Sequence, residues 1–319
     1  MEQFKETGFP SPKDEEWRFT PVAPIARADF SEVVVPSKVS RSDLEPYWFG
    51  HPEWTRLVFV DGRFDAESSN LSPAAGGTIS TLAEALRSDP RTLEPYLGRQ
   101  VQPGATPFTA LNTALSRDGA FIRIARGTVT DAPIHLHFVT TAAADGAAIH
   151  PRILVLVERE ARGQLVESYV SLGGRPRYLV NTVCEVVMAE GSWMEHSRIQ
   201  RESEAGYHIG FTEVSQARDS HYRSFSLAMG GAIARHNLQT RLGGSNTEAL
   251  LYGLYLGHGD QLIDNHTTIF HDHPDCRSWE IYKGVLDGRS HGVFNGKILV
   301  KPEAQKTDAK QTNRAILLS

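Results

Sequence analysis

Cysteine is scarce in this chain of 319 residues, which contains only Cys184 and Cys276. Two thiols cannot staple a disulfide scaffold, and they point to a reducing cytoplasm. Long apolar runs are missing too. No stretch reaches the roughly 18 apolar residues that a transmembrane helix needs. The opening MEQFKETGFPSPKDEEW is polar and acidic and lacks the apolar centre of a secretory signal. Neither sign of charge dominates. A formal charge of −5 and a pI of about 6.2 give no electrostatic reason to expect nucleic acid or a membrane as partner.

What is present suits a folded globular chain, with 40% hydrophobic and 22% charged residues. Residues 1–118 read as an N-terminal arm and a small α/β region. Pro10, Pro12, Pro21, Pro24 and Pro36 punctuate the arm, which the sequence predicts to be mostly extended with one short helix. Leu57-Val58-Phe59-Val60 followed by Asp61-Gly62 predicts a strand entering a tight turn. A helix is expected within 80–98, capped by Ser80 and split by Pro90. A second covers about 107–117, with Phe108, Leu111 and Leu115 on one side.

From 119 to 319 the pattern is strand and turn without an amphipathic helix. β-rich runs recur from Ala120–Ile124 through Tyr178–Ala189 and Gln261–Phe270 to a final Arg314–Leu318. Two architectures hold this many strands, a large antiparallel sandwich or a parallel β-helix. Two-residue hairpin turns are few, chiefly Asp287-Gly288 and Asn295-Gly296, and this favours the β-helix. No strict short repeat is visible.

GRSHGVFNGK at 288–297 invites two catalytic readings. Gly288-Arg289-Ser290-His291-Gly292 matches the G-x-S-x-G nucleophile turn, but that turn needs a helix after the serine and VFNGKILV reads as strand. The phosphate-loop pattern fails outright: one residue is missing between the glycines, and Ile298 stands where Ser or Thr must bind Mg²⁺. His266, His271, His273 and Cys276 are the candidate metal ligands, being imidazoles and a thiol in DNHTTIFHDHPDC. Strand alternation places His271 and His273 on one face and His266 on the other, so they also read as polar corners. His135 and His137 share a face that Leu136 and Phe138 leave to solvent. The Lys-bearing tail Lys297, Lys301, Lys306, Lys310 and Arg314 reads as a solvated face, and Cys184 as a small buried thiol.

The stretch DQLIDNHTTIFHDHPDCRSWEIYKGVLDGRSHGVFNGKILVKPEAQKTDAKQTNRAILLS resembles the SufB/SufD family of iron–sulfur cluster assembly scaffolds. GFPSPKDEEWRFTPVAPI, LVFVDGRF, FTALNTALSRDGAFIRI and HPRILVLVE resemble it as well, so the similarity runs through the chain. The short N-terminal region and CRSWEIYKGVLDGRSHGVFNG favour the SufD branch. The resemblance implies a small N-terminal α/β region, a right-handed parallel β-helix and a C-terminal helical region. It also implies a non-enzymatic scaffold working with a SufB-like paralogue and a SufC-like ATPase. On that reading no cofactor is bound firmly, and an iron–sulfur cluster forms transiently at the complex interface. A homodimer is a further expectation.

The family's Cys- and His-containing motif lies beyond the ILLS strand, so its functional residues have no counterpart before Ser319. With no polar cap after Ala315–Leu318, the C-terminal helical region is expected to be missing and the chain to be a fragment. Two alternatives come from other classes: a β-rich serine hydrolase using Ser290, and a stand-alone His-rich metal-binding protein.

Overall fold

The computed structural model describes residues 1–33, 37–71, 76–101 and 104–318; Pro36 and Ser319 lie outside them. The first part of the chain carries the α-helices α1 (Glu2–Thr7), α2 (Ala23–Ala26), α3 (Arg41–Leu44), α4 (Leu82–Ser88), α5 (Pro90–Leu93) and α6 (Pro107–Leu115). The arm is therefore more helical than its prolines suggest. Pro24, Pro90 and Pro107 sit in the first turns of their helices, where a missing N–H costs nothing and the fixed φ is already helical. Pro90 does separate α4 from α5. The cap of α4 is Thr81, whose hydroxyl accepts from Glu84 N, because Ser80 still belongs to a strand.

The strands are β1 (Arg56–Val60), β2 (Arg63–Phe64), β3 (Gly77–Thr81), β4 (Gly119–Ile124), β5 (Ile134–Thr141), β6 (Ala148–Ile149), β7 (Arg152–Val157), β8 (Arg162–Leu172) and β9 (Leu179–Met188). They continue as β10 (Trp193–Arg201), β11 (Tyr207–Gln216), β12 (His221–Ala228), β13 (Ile233–Leu242), β14 (Glu248–Gly257), β15 (Leu262–His271), β16 (Arg277–Leu286), β17 (His291–Val300) and β18 (Asp308–Leu317). One sheet runs β18-β16-β14-β12-β10-β8-β5-β1-β2 and the other β17-β15-β13-β11-β9-β7-β4-β3. Among the described strands, only β1–β2 and β3–β4 pair antiparallel. Successive strands otherwise alternate between two parallel sheets, as in a β-helix of about seven turns. Between 119 and 318 the helical exception is the single turn Ala142–Ala144. The last strand begins at Asp308 rather than Arg314, so much of the lysine-bearing tail is itself strand with exposed side chains.

Register explains why the repeat is hidden. Trp193, His221, Glu248, Arg277 and Asp308 occupy equivalent positions on consecutive rungs, so rung length varies from one turn to the next. What recurs is backbone shape. Asp219, Asn246 and Asp275 take left-handed φ near 58–59° at one corner, a conformation that Asn and Asp tolerate better than most side chains.

Leu136, Val155, Val186, Leu251 and Ile269 belong to the core enclosed between the two sheets. The N-terminal region coats the outside of the early rungs. Leu44 packs on Val58, Val139 and Val170, while Trp17, Ile25 and Phe108 pack on Leu179, Tyr207 and Ile209. This coat corrects the expectation for His135 and His137, which are fully buried. Both point outward, opposite to Leu136 and Phe138 as alternation requires, but Arg56 donates to His135 Nδ1 at 3.0 Å and Phe49 covers its ring.

The coat is also pinned electrostatically. Glu185 on β9 accepts the backbone N–H groups of Gly98, Gln100 and Val101 at 2.9–3.1 Å and pairs with buried Arg152 at 2.5 Å. Removing one member of a buried pair strands the other charge. Glu185→Ala is accordingly expected to destabilise the chain by about 3–5 kcal/mol in urea unfolding. Asp260→Ala, which breaks the solvent-exposed pair with Arg289, is expected to leave the midpoint unchanged.

Candidate functional site

Strand parity sends an unusual number of polar side chains into the space between the sheets. Leu165 and Tyr169 set the inward parity of β8, and Glu167 shares it. Met194 sets that of β10, and His196, Arg198 and Gln200 follow. From the facing sheet, β9 contributes Thr182 and Cys184, β11 contributes His208 and Thr212, and β13 contributes His236. All of these side chains are buried.

Their hydrogen bonds form two main groups, one around Glu167 and His196 and one around Arg198 and His208. His196 Nε2 lies 2.7 Å from Glu167 Oε1 and its Nδ1 lies 2.9 Å from the Tyr222 hydroxyl. Tyr169 donates to the other Glu167 oxygen at 2.7 Å. Arg198 donates to His208 Nε2 at 2.5 Å, and His208 Nδ1 donates in turn to Glu202 at 2.5 Å. Cys184 faces this group from the opposite wall. Among the described residues Glu167, Cys184 and His196 are the one set whose ligand atoms all lie within 4.8 Å of one another.

Burial would raise the Glu167 carboxyl, but the neighbouring His196, the Tyr169 hydroxyl and Arg198 outweigh it and bring the group down to about 2. Burial, reinforced by the negative charge of Glu167, pushes the Cys184 thiol well above its ordinary range. Burial holds His208 and His236 below the usual imidazole range. This end of the lumen thus has an ionised carboxylate, a protonated thiol and a fixed guanidinium in close quarters. Three rungs beyond His196, Glu280 faces inward with neither oxygen hydrogen-bonded; Thr267 and Gln311 stand beside it.

The residues singled out from sequence are placed separately. His266 points outward between Asp264 Oδ1, at 3.0 Å, and Glu16. His271 points inward and meets Ser278 Oγ at 2.8 Å. His273 lies exposed in the corner after β15. Cys276 is buried one turn on, 3.0 Å from Thr247 Oγ1. Each has its own partners, and opposite strand faces divide His266 from His271.

GRSHG is a corner between β16 and β17. Gly288 supplies the left-handed φ of 67°, strand resumes at His291, and Ser290 Oγ is buried with no hydrogen-bond partner. A serine without a base to take its proton is not an activated nucleophile, which disposes of the hydrolase reading. Glu167 and His196 escaped notice in the sequence, although each carries a signal: a charged or titratable residue at the parity of an apolar strand face.

Comparison with known proteins agrees with this architecture. The family model described as SUF system FeS cluster assembly, SufBD core domain matches residues 138–319, and the SufBD protein N-terminal region matches residues 1–136. The chain belongs to the SufBD family. Relatives include an iron–sulfur cluster assembly SufBD family protein of Synechocystis, 33% identical over 97% of this chain and 70% of its own length. The iron–sulfur cluster assembly protein SufD of Escherichia coli is 25% identical over 100% and 72%. The chloroplastic protein ABCI7 of Arabidopsis thaliana is 27% identical over 98% and 66%. SufBD membership places the chain in iron–sulfur cluster assembly, and the core-domain match covers the rungs that carry the polar lumen. No helix among the described residues is long and apolar enough to cross a membrane.

The inward carboxyl of Glu280 makes a prediction for this SufBD chain. Burial, only partly opposed by Thr267 and Gln311, raises it from 4.5 to about 7. Between those values the folded chain keeps a proton that the unfolded chain has released. The contribution is therefore fully present below pH 4.5 and lost as pH rises through about 7. Glu280→Gln is expected to be the more stable protein at pH 8, by on the order of 3 kcal/mol, with the gap closing by pH 4.5. Urea midpoints of both proteins across this range measure it. The difference isolates Glu280 from other buried groups, such as Glu213. A pH-independent gap would show that the carboxyl holds no such proton.

Proposed function

We infer that this SufBD chain acts as a non-catalytic scaffold subunit of the SUF machinery. It works beside a SufB-like paralogue and a SufC-like ATPase, and the nascent iron–sulfur cluster is the cargo of the assembled complex rather than a resident cofactor of this chain. The observation that carries this reading is the pair of SufBD matches spanning the chain, together with a relative named as SufD. The physical features fit. An extended stack of rungs presents long, rigid faces, and solenoids use such surfaces to hold partners. Outward Phe225 and Ile281, two rungs apart in one column on the same face, are 40% and 38% exposed. The nucleotide chemistry of the system falls to the ATPase, since no phosphate loop occurs here.

Co-expression of the chain, within its natural gene product, with the SufB-like and SufC-like proteins of the same genome tests this. A stable complex containing all three is expected on size exclusion with light scattering. An ATPase that co-purifies equally well when this chain is omitted, while the chain itself elutes alone or as a homodimer, would remove the scaffold reading.

A further inference from the structure

We propose that Glu167, Cys184 and His196 hold one thiophilic divalent cation, with Zn(II) as the best match, enclosed between the sheets and independent of any partner subunit. The three residues come from β8, β9 and β10, so two neighbouring strands of one wall and one strand of the other converge on a point. Their ligand atoms already lie within 4.8 Å of one another. Tetrahedral zinc with one sulfur ligand spaces its donors about 3.3–3.8 Å apart. The His196–Glu167 contact of 2.7 Å therefore opens by less than an ångström-scale side-chain rotation while Cys184 closes in. One thiolate and one carboxylate cancel the charge of a divalent ion, which an enclosed site requires.

The surroundings support ligation independently of the three ligands. Tyr222 meets His196 Nδ1 and Tyr169 holds the second Glu167 oxygen, the outer partners that orient metal-binding imidazole and carboxylate. Arg198 is close enough to act on Glu167, yet its guanidinium is turned to His208 at 2.5 Å and lies over the Tyr169 ring. The carboxylate is thus left to His196 and Cys184. The protons balance. Cys184 Sγ–H releases its proton to solvent as the S–metal bond forms. The His196 Nε2 proton is exchanged for one on Nδ1, which then donates to the Tyr222 oxygen, and Tyr222 O–H turns to the neighbouring Ser224.

On the next rungs Leu238 and Leu251 stack over Thr212 and Ser224 and close the lumen with apolar side chains. Uptake therefore accompanies folding, and release requires unfolding. The experiment uses Co(II) as the probe. The chain is refolded from urea with Co(II), excess metal is removed with EDTA, and the native protein dialysed against Co(II) serves for comparison. Refolded wild type is expected to retain one Co(II) per chain after EDTA and to show thiolate-to-cobalt charge transfer with intense tetrahedral d–d bands. Cys184→Ser should abolish the charge-transfer band. His196→Gln and Tyr222→Phe should each weaken retention at least about tenfold. Cys276→Ser, which removes the other buried thiol, should change nothing. Far-UV circular dichroism identifies variants that fail to fold; for these the wild-type spectrum alone decides. Refolded wild type without a thiolate–cobalt band overturns the proposal, as does a band that survives Cys184→Ser or follows Cys276.

Discussion

Parallel, in-register pairing of successive rungs is the constraint from which the rest of this structure follows. In such a stack each inward side chain sits on the inward side chain of the rung before it, and a slip of one residue would turn every one of them outward. The chain therefore builds columns rather than an undifferentiated core. One column runs Leu165, His196, Ser224, Leu251, Glu280 and Gln311. On the facing wall another runs Ile153, Cys184, Thr212, Leu238, Thr267 and Gly296. Read together, the two columns are apolar, then polar, then apolar at Leu238 and Leu251, then polar again. A polar side chain in a column cannot reach solvent, so it must find its partner on an adjacent rung or across the lumen. The Glu167–His196–Tyr222 chain of contacts is that requirement met.

The N-terminal region solves a different problem. A two-sheet solenoid has two outer faces, and on the early rungs both are apolar enough to need cover. Short helices opened by proline supply it, and the cover is fixed where Glu185 gathers three amide groups and a buried guanidinium. Outward position and exposure thus part company along the stack. Outward His135 and His137 are sealed, and burial together with nearby Arg56 holds both below the ordinary imidazole range, His137 at about 3. Outward Phe225 and Ile281, several rungs later, remain open to solvent.

The same distinction sets what the sequence makes legible. Alternation identified nearly every strand from Ala120 onward, and the scarcity of two-residue hairpin turns pointed to a coil rather than a sandwich. Alternation also separated His266 from His271 correctly. It could not place Glu167 beside Cys184, because that contact crosses between sheets and depends on a rung length that changes from turn to turn. It misjudged His135 and His137 because nothing within PIHLHFV records that Phe49 folds back over His135 and that Arg56 bonds it. The Ser80 cap failed by one residue for a similar reason: strand pairing with Phe121 holds Ser80 in β3, leaving Thr81 to start the helix. Where local pattern decides, the reading succeeds; where a distant segment decides, it does not.

The polar lumen is informative because the fold does not require it. The columns that hold His196 and Cys184 accept leucine two rungs later, at Leu251 and Leu238, with the same parallel pairing. An apolar filling is therefore sterically available at this depth. Buried ion pairs are often no more stabilising than well-packed hydrophobic residues of similar volume, because both charges must leave water. Glu167, His196 and Arg198 in the lumen therefore gain the fold no more than leucine-like side chains of similar volume would, and burial of Glu280 is only partly offset by Thr267 and Gln311 beside it. Local rules broken inside an otherwise consistent fold mark the places where something other than packing is being served. In this chain those places lie on the solenoid axis, not at the Gly-rich corner around Ser290 that first drew attention.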